Sequence, residues 1–316
     1  MRAAGVNFAD ILGRTGLYAP APPPPYVPGF EVAGVVLECG AEVVALSPGS
    51  AVIAGSRFGG YASELVAQAA RVLPLPAGWR FAEGAGFFAT YATAWHALVT
   101  LGRVGSGARV LVLAGAGGLG IAAIQLAHHL GARVVACAGG PDKARFCEQQ
   151  GADAGVDYLV PNWPEAALAA AHAPGFDLIL DSVMGRDFWA WRQLLRLRGH
   201  LVLCGAASFT PRRARNWLVL GWKWLRRPRL DLLDFVSSCR TISGFNLLLL
   251  LEEAEYVAEL GRALGALAAS SALRPVIDRS FRFSQAAEAH AYVQGRRTRG
   301  KVVLIPDEVE VTQGAA

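Results

Sequence analysis

A glycine-rich turn between an apolar strand and a helix constrains the fold of this chain more than any other part of its sequence. Residues 110–120 read Val-Leu-Val-Leu-Ala-Gly-Ala-Gly-Gly-Leu-Gly, a strand followed by Gly-x-Gly-x-x-Gly. The first glycine permits a tight turn, the second lets the backbone approach a pyrophosphate, and the third lets the helix pack on the strand. Amides at the start of the helix bind the phosphates. The pattern therefore predicts a dinucleotide site at Gly115, Gly117, Gly118, Leu119 and Gly120; the alternative is a glycine-rich turn kept for packing.

Strand and helix patterns alternate on both sides of this turn, from about Tyr91 onward. Such a rhythm is typical of a parallel sheet covered by helices on both faces, that is, an α/β doubly wound Rossmann domain. The expected elements are strands at Val110–Ala114, Arg133–Ala138, Leu178–Asp181 and His200–Cys204, and helices at Leu119–Leu130, Pro141–Gln150 and Asp187–Leu195.

The first ninety residues have a different character, with short apolar runs separated by turns. Ala19–Pro28 contains six prolines and cannot form a helix interior or a central strand. Phe30–Leu37 reads as a buried strand, and Val302–Ile305 near the end of the chain is strand-like again. The sequence therefore predicts a small β domain over residues 1–90, a Rossmann domain over 91–270, and a return to the β domain over 271–316.

Composition excludes several classes of protein. Apolar residues make up 53% of the chain and charged residues 17%, which is incompatible with a disordered chain. The net charge of +5 is small, and we expect no nucleic-acid partner. The five cysteines are widely spaced and include no Cys-x-x-Cys pair, and the histidines show no ligand spacing. We therefore expect a reducing, cytoplasmic location and no metal site.

The end of the second Rossmann strand decides which dinucleotide is favoured. An acidic residue about 20 residues after the glycines begin would bind a free ribose 2′-hydroxyl. Here that position falls at Ala138-Gly139-Gly140, followed by Lys143. Small residues beside a cation favour the 2′-phosphate of NADPH. Two alternatives remain open: Lys143 is a solvated helix residue, or Asp142 reaches a 2′-hydroxyl.

Several motifs in order along the chain carry a family resemblance. They are Gly5–Asp10, Gly16–Tyr18, Pro28–Glu31, the glycine turn, Asp157-Tyr158 and Gly300–Leu304. Across essentially its whole length, the chain resembles the zinc-independent quinone oxidoreductases of the medium-chain dehydrogenase/reductase superfamily. The stretch from Asn216 to Leu247 is most similar to the branch of the synaptic-vesicle membrane protein homologues. The resemblance implies that the β domain is chaperonin-ten-like (GroES-like), with substrate in the cleft between the domains.

The resemblance also assigns expected roles to single residues. Asn7, Asp10 and Thr93 would lie at the nicotinamide end of the cleft. Lys143 and Tyr158 would contact the adenosine phosphate. Gly205, Phe245 and Lys301 would border the cofactor, and the family suggests dimers paired near Thr241–Phe245. The alternative for Asn7 and Asp10 is turn capping.

Two positions argue against the metal found in zinc-bearing relatives. Asn7 and Phe30 stand where those relatives have a Cys and a His, and neither supplies a thiolate or an imidazole. We therefore expect chemistry without a Lewis-acid metal. The chain also begins almost on the first family motif, so the resemblance implies an N-terminally truncated β domain or a misassigned start.

The segment Trp217–Arg229 combines tryptophans with lysine and arginines. This composition suits a helix that lines the substrate pocket with its cations in solvent, a peripheral membrane contact, or a nucleic-acid patch. We favour the first.

Together with the glycine turn, the resemblance implies an enzyme that transfers hydride from NADPH to a quinone or an α,β-unsaturated carbonyl. The alternatives are an enoyl-thioester reductase and a non-catalytic NADPH-binding protein that associates with membranes. Tyr18 resembles a tyrosine near the substrate in related reductases and is the candidate proton donor. The alternative is that Tyr18 packs against the prolines and that solvent supplies the proton.

Overall fold

The computed structural model describes residues 1–185, 188–210, 217–227, 229, 232–270 and 273–307. Asp187, Asn216 and Pro228, which belong to segments discussed above, lie outside the described residues. So does the side chain of Lys223.

Two six-stranded sheets form the framework of the molecule. The first has the strand order β11-β12-β1-β2-β3-β4 and the second has the order β10-β9-β8-β5-β6-β7. The strands are β1 Ala3–Val6, β2 Glu31–Val35, β3 Ala51–Gly55, β4 Val72–Pro74, β5 Arg109–Leu113, β6 Arg133–Ala138, β7 Ala154–Asp157, β8 Phe176–Asp181, β9 Leu195–Leu203, β10 Thr241–Gly244, β11 Ile277–Arg282 and β12 Lys301–Ile305.

The second sheet is parallel throughout and has the doubly wound order expected of a Rossmann domain. The first sheet is antiparallel except between β11 and β12, the two strands that come from the end of the chain. The predicted fold class is therefore confirmed.

Helices cover both faces of the second sheet and fill the spaces around the first. Buried apolar clusters lie on either side of the parallel sheet, so its strands read as continuous hydrophobic runs. The α-helices are α1 Phe8–Arg14, α2 Phe81–Gly84, α3 Phe88–Trp95, α4 Gly118–His129, α5 Pro141–Gln149, α6 Trp163–Ala171, α7 Phe188–Gln193, α8 Trp217–Leu225, α9 Leu232–Ser238, α10 Leu247–Leu250, α11 Ala254–Ala269 and α12 Ala286–Gln294.

Two expectations about local structure need correction. The first ninety residues are not only strand and loop, because α1 follows β1 directly, with Asn7 as its N-cap. The helix expected over Asp187–Leu195 ends at Gln193, and Leu195 already belongs to β9. Pairing with β8, which begins at Phe176↔Leu195, extends this strand against the local helical pattern.

Candidate functional site

The carboxyl ends of the six parallel strands meet at one edge of the second sheet, where ligands of such folds bind. Five residues from the sequence analysis follow these strand ends. They are Gly115 after β5, Gly139 after β6, Tyr158 after β7, Gly205 after β9 and Phe245 after β10.

The glycine turn has the geometry that a pyrophosphate site requires. Gly117 caps the N-terminus of α4 with extended backbone, and its amide donates to the Ala114 carbonyl at 3.1 Å. A Cβ at Gly117 would have a single neighbouring residue within 4 Å, at 3.5 Å from the Ala114 oxygen. A Cβ at Gly120 would lie 2.5 Å from the Ala114 and Gly115 oxygens. The backbone around Gly120 is thus packed tightly against the end of β5, whereas the space beside Gly117 is open. These residues therefore fit a dinucleotide.

The end of β6 is shaped for the adenosine end of such a cofactor. A side chain at Gly139 would begin 2.9 Å from the Tyr158 hydroxyl, so only glycine lets the phenol lie over the turn. The Asp157 carboxylate accepts hydrogen bonds from the amides of Gly140 at 2.8 Å and Leu159 at 2.9 Å. Asp157 therefore holds the turn in place.

Lys143 lies beside this turn, in the first turn of α5. Its ammonium donates to the Arg296 carbonyl at 2.7 Å, which leaves two of its three donors for a ligand. Burial lowers the pKa of Lys143, and the neighbouring Arg299 guanidinium lowers it further. The sequence prediction had not included Arg299; the run of basic residues before Gly300 was the signal that could have indicated it.

Asp142 is the carboxylate that was left open as a partner for a 2′-hydroxyl. It binds the Arg145 guanidinium at 2.5 Å and lies 3.7 Å from that of Arg299. The carboxylate is thus neutralised from two sides, which weakens the alternative that it selects a free hydroxyl.

A buried network joins the first sheet to the glycine turn. The Lys301 ammonium lies 2.5 Å from a Glu31 carboxylate oxygen and donates to Asn7 Oδ1 at 2.6 Å. Asn7 Nδ2 donates to Glu31 at 3.1 Å, and the Ala89 amide donates to the other Glu31 oxygen at 2.8 Å. The methylene stem of Lys301 lies against Gly118. Glu31, whose role the sequence did not suggest, is fully buried at the centre of this network.

Asp10 is buried and holds two backbone segments together. Its carboxylate accepts from the amides of Asn7 and Gly29, each at 2.8 Å, and from the Tyr61 hydroxyl at 3.2 Å. Burial raises the pKa of Asp10 to about 7, although these donors oppose the shift. His290 Nε2 lies 3.2 Å from the same Tyr61 hydroxyl, and burial lowers the pKa of His290 to about 4. These contacts include the turn capping considered above; catalytic roles for Asn7 and Asp10 stay predictions.

Tyr18 connects the β domain to the residues that follow β10. Its hydroxyl donates to Asn246 Oδ1 at 3.0 Å, and its ring packs edge-on against Phe30. Burial raises the pKa of Tyr18, so the phenol stays protonated at neutral pH. Asn246 also accepts from the Leu248 amide at 3.1 Å, which fixes its orientation. The position of the Tyr18 hydroxyl is therefore fixed by a contact between the β domain and the Rossmann domain, and not by the prolines alone.

The remaining predicted residues lie within α3 and after strands β9 and β10. Thr93 donates its hydroxyl to the Ala89 carbonyl at 2.7 Å within α3. A Cβ at Gly205 would lie 2.8 Å from the Ser182 carbonyl oxygen, so the strand ends approach closely there. The Phe245 ring packs on His96 with centroids 4.5 Å apart. Contact of any of them with the cofactor stays a prediction.

Within the residues that the structure describes, no group of three or more His, Cys, Asp or Glu side chains is placed to hold a metal ion. Among the helices described here, none combines the length and the apolar character needed to cross a membrane.

Two family models match the chain. Residues 1–102 match the alcohol dehydrogenase GroES-like domain, and residues 150–304 match a model described as zinc-binding dehydrogenase.

Individual relatives extend over nearly the whole chain. The rat synaptic vesicle membrane protein VAT-1 homolog is 31% identical over 306 residues, which are 97% of this chain and 76% of the relative. The quinone oxidoreductase of Thermus thermophilus, solved also with NADPH, is 32% identical with a TM-score of 0.78 and covers 96% of this chain and 89% of its own. The Escherichia coli quinone oxidoreductase, complexed with NADPH, is 26% identical with a TM-score of 0.80, over 96% of this chain and 90% of its own.

Sequence, fold and relatives agree with the resemblance seen in the motifs. The chain is an oxidoreductase that belongs to the medium-chain dehydrogenase/reductase superfamily, among the quinone oxidoreductases and the synaptic-vesicle membrane protein homologues.

Proposed function

We propose that the chain is an NADPH-dependent reductase of quinones or α,β-unsaturated carbonyls. The observation that carries this proposal is the pairing of an open glycine turn with a cationic strand end whose neighbouring carboxylates, Asp142 and Asp157, are already bound by arginines or backbone amides. Gly117 leaves room for a pyrophosphate, and Lys143 and Arg299 lie at the end of β6, where an NADH site would have a free carboxylate. The two quinone oxidoreductases described above were solved with NADPH, which supports the same cofactor here.

The chain's own residues would hold and position the reactants. The glycine turn and the N-terminus of α4 would bind the pyrophosphate, and Lys143, Tyr158 and Arg299 would bind the adenosine 2′-phosphate. When bound, the reduced nicotinamide supplies a hydride. Tyr18 would donate a proton to the oxygen of the acceptor as negative charge develops on it, and solvent would then reprotonate the phenol.

Cofactor titration tests the first part of this proposal. A 2′-phosphate contact with Lys143 is worth about 1.5–3 kcal/mol, which corresponds to a preference for NADPH over NADH of roughly one to two decades. Lys143→Ala should weaken NADPH binding by that factor and leave NADH binding unchanged. Arg262→Gln removes one positive charge from an exposed position of α11 and is the matched control. Equal affinities of the wild type for the two cofactors would contradict the proposal.

The acceptor is tested separately, by following NADPH oxidation with quinones, enones and enoyl thioesters. Turnover of quinones or enones is expected. Turnover restricted to enoyl thioesters would instead support the enoyl-thioester reductase.

The exposed apolar side chains of α8 and α9 favour a second candidate, a protein that binds NADPH and associates with membranes. Leu218, Leu233 and Val236 are between 76% and 85% exposed, and the Arg226 and Arg227 guanidinium groups cover the rings of Trp222 and Trp224. Apolar side chains beside cations suit an anionic lipid surface. Flotation with phosphatidylserine vesicles, in the absence of acceptor turnover, would support this candidate over the enzyme.

A further inference from the structure

An apolar pocket of about 390 Å³ lies between α1 and α8. This volume is within the range of small-molecule sites. Among the described residues the lining contains no charged side chain, and its members are Leu12, Leu17, Ala206, Phe209, Trp217, Leu220, Gly221 and Trp224.

Two residues that line the pocket are chain neighbours of residues in the proposed reaction site. Leu17 immediately precedes Tyr18, the candidate proton donor, and Ala206 immediately follows Gly205 at the end of β9. A molecule whose reacting group lay near Tyr18 could therefore extend its other end into this pocket.

The walls of the pocket are suited to hydrocarbon and unsuited to polar groups. Leu220 is buried, and the Trp224 ring is covered by the Arg227 guanidinium 3.8 Å from its centroid, which holds the ring in place. A polar group in this lining would exchange water for mostly apolar surface, whereas an alkyl chain would gain from the same exchange.

Helix α8 forms one wall of the pocket, and Gly221 has no side chain to fill the space there. A Cβ at this position would meet no atom of the described residues within 4 Å, and the backbone is not in a conformation that requires glycine. Since Gly221 lines the pocket, a larger side chain at this position would take up part of its open space without distorting the helix.

We propose that this pocket binds an aliphatic chain carried by the acceptor. The preferred substrates would then be quinones or enones with an alkyl substituent rather than small, unsubstituted ones. This inference rests on the proposed reductase function. Burial of each methylene group should raise kcat/KM by about three- to fourfold until the pocket is full.

The test is a homologous series of n-alkyl para-benzoquinones, reduced with NADPH by the wild type, by Gly221→Leu and by Leu218→Phe. In the wild type, kcat/KM should climb with chain length and then level off. Gly221→Leu should level off at a shorter chain, when kcat/KM for each quinone is taken relative to that of the same variant on the methyl quinone. Leu218→Phe, a control on the same helix at a side chain outside the lining, should follow the wild type. Thermal unfolding verifies that both variants are folded.

Failure of this inference can be told apart from failure of the proposed function. Reduction of the methyl quinone without any dependence on chain length, or with the same dependence in Gly221→Leu, would overturn the pocket and leave the reductase intact. If no acceptor is reduced, calorimetric titration with saturated alkan-2-ones replaces the kinetic test. Chain-length-dependent binding that Gly221→Leu shortens would still support the pocket, and its absence would overturn it.

Discussion

At the scale of single residues, Tyr18 is the candidate whose role in the reaction is easiest to isolate. Its hydroxyl contacts Asn246 of the Rossmann domain, and its raised pKa keeps the phenol protonated at neutral pH. Tyr18→Phe removes this hydroxyl and little volume. We expect kcat on an enone to fall by about 100-fold, the lower end of general-acid effects, with unchanged NADPH affinity. An unchanged kcat would show that solvent supplies the proton.

Asp10 and His290 predict a specific dependence of stability on pH. The pKa of folded Asp10 is about 7 against an ordinary 3.8, so between these values the folded state holds more protons and stability falls as pH rises. The pKa of folded His290 is about 4 against 6.5, so over that interval the unfolded state holds more protons and stability rises with pH. In the wild type the two effects oppose each other between about pH 4 and 6.5.

Substitutions should reveal the two opposing effects. Asp10→Asn should make the free energy of unfolding rise more steeply with pH between about 4 and 6.5, by up to about 1.4 kcal/mol per pH unit, and His290→Gln should shift the slope in the opposite direction. Urea unfolding at a series of pH values measures both slopes. Parallel profiles for the wild type and both variants would show that neither group titrates as its burial implies.

At the scale of elements, two glycines of the turn between β5 and α4 have different roles: Gly120 is needed for packing, and Gly117 is expected to be needed for cofactor binding. A Cβ at Gly120 would lie 2.5 Å from two backbone oxygens that cannot move, whereas one at Gly117 would make an ordinary contact at 3.5 Å. We expect Gly120→Ala to destabilise the fold by roughly 1–3 kcal/mol, as overpacking does. Gly117→Ala should cost less than about 1 kcal/mol as a poorer N-cap, yet weaken NADPH binding at least tenfold.

Denaturant unfolding and NADPH titration of both variants check this pair. Loss of stability in Gly117→Ala with normal binding per folded molecule would mean that the turn serves packing alone.

The elements also show where sequence patterns suffice and where they fail. The strand-turn-helix around Gly115 could be predicted because its spacing is local and its chemistry is specific. Helix α1 could not, since seven residues are too few for a clear periodicity and its stability comes from capping by Asn7 and Asp10. The contacts of Glu31 with Lys301, and of Tyr18 with Asn246, join residues far apart in the chain, and no local pattern encodes such pairs.

At the scale of the whole molecule, the parallel sheet ends in β10, whose outer edge is paired with no other described strand. β10 pairs with β9 on one side, and the Phe245 amide donates to the Leu203 carbonyl. Because backbone groups alternate along a strand, the amide of Ile242 points to the other, open edge. We propose that two copies pair along this edge, as the family resemblance suggested for Thr241–Phe245.

Ile242→Pro tests this dimer without removing a hydrogen bond to β9. Proline is tolerated in an edge strand where its missing N–H faces outward, so the chain should still fold. Light scattering should find a dimer for the wild type and for the control Ile242→Val, and a monomer for Ile242→Pro. A wild-type monomer, or a dimer that survives in Ile242→Pro, would exclude this edge as the interface.

We propose that the cleft at the strand ends brings a reduced nicotinamide and an apolar acceptor together for direct hydride transfer. The most direct measurement follows the isotope: NADPH deuterated at the transferring carbon is incubated with an alkyl-substituted enone, and the product is examined by mass spectrometry and NMR. We predict one deuterium at the β-carbon of the product, and slower formation of the same labelled product by Gly117→Ala at NADPH concentrations below those that saturate this variant. An enone that stays unreduced while NADPH is bound, or a product without deuterium at the β-carbon, would contradict the claim.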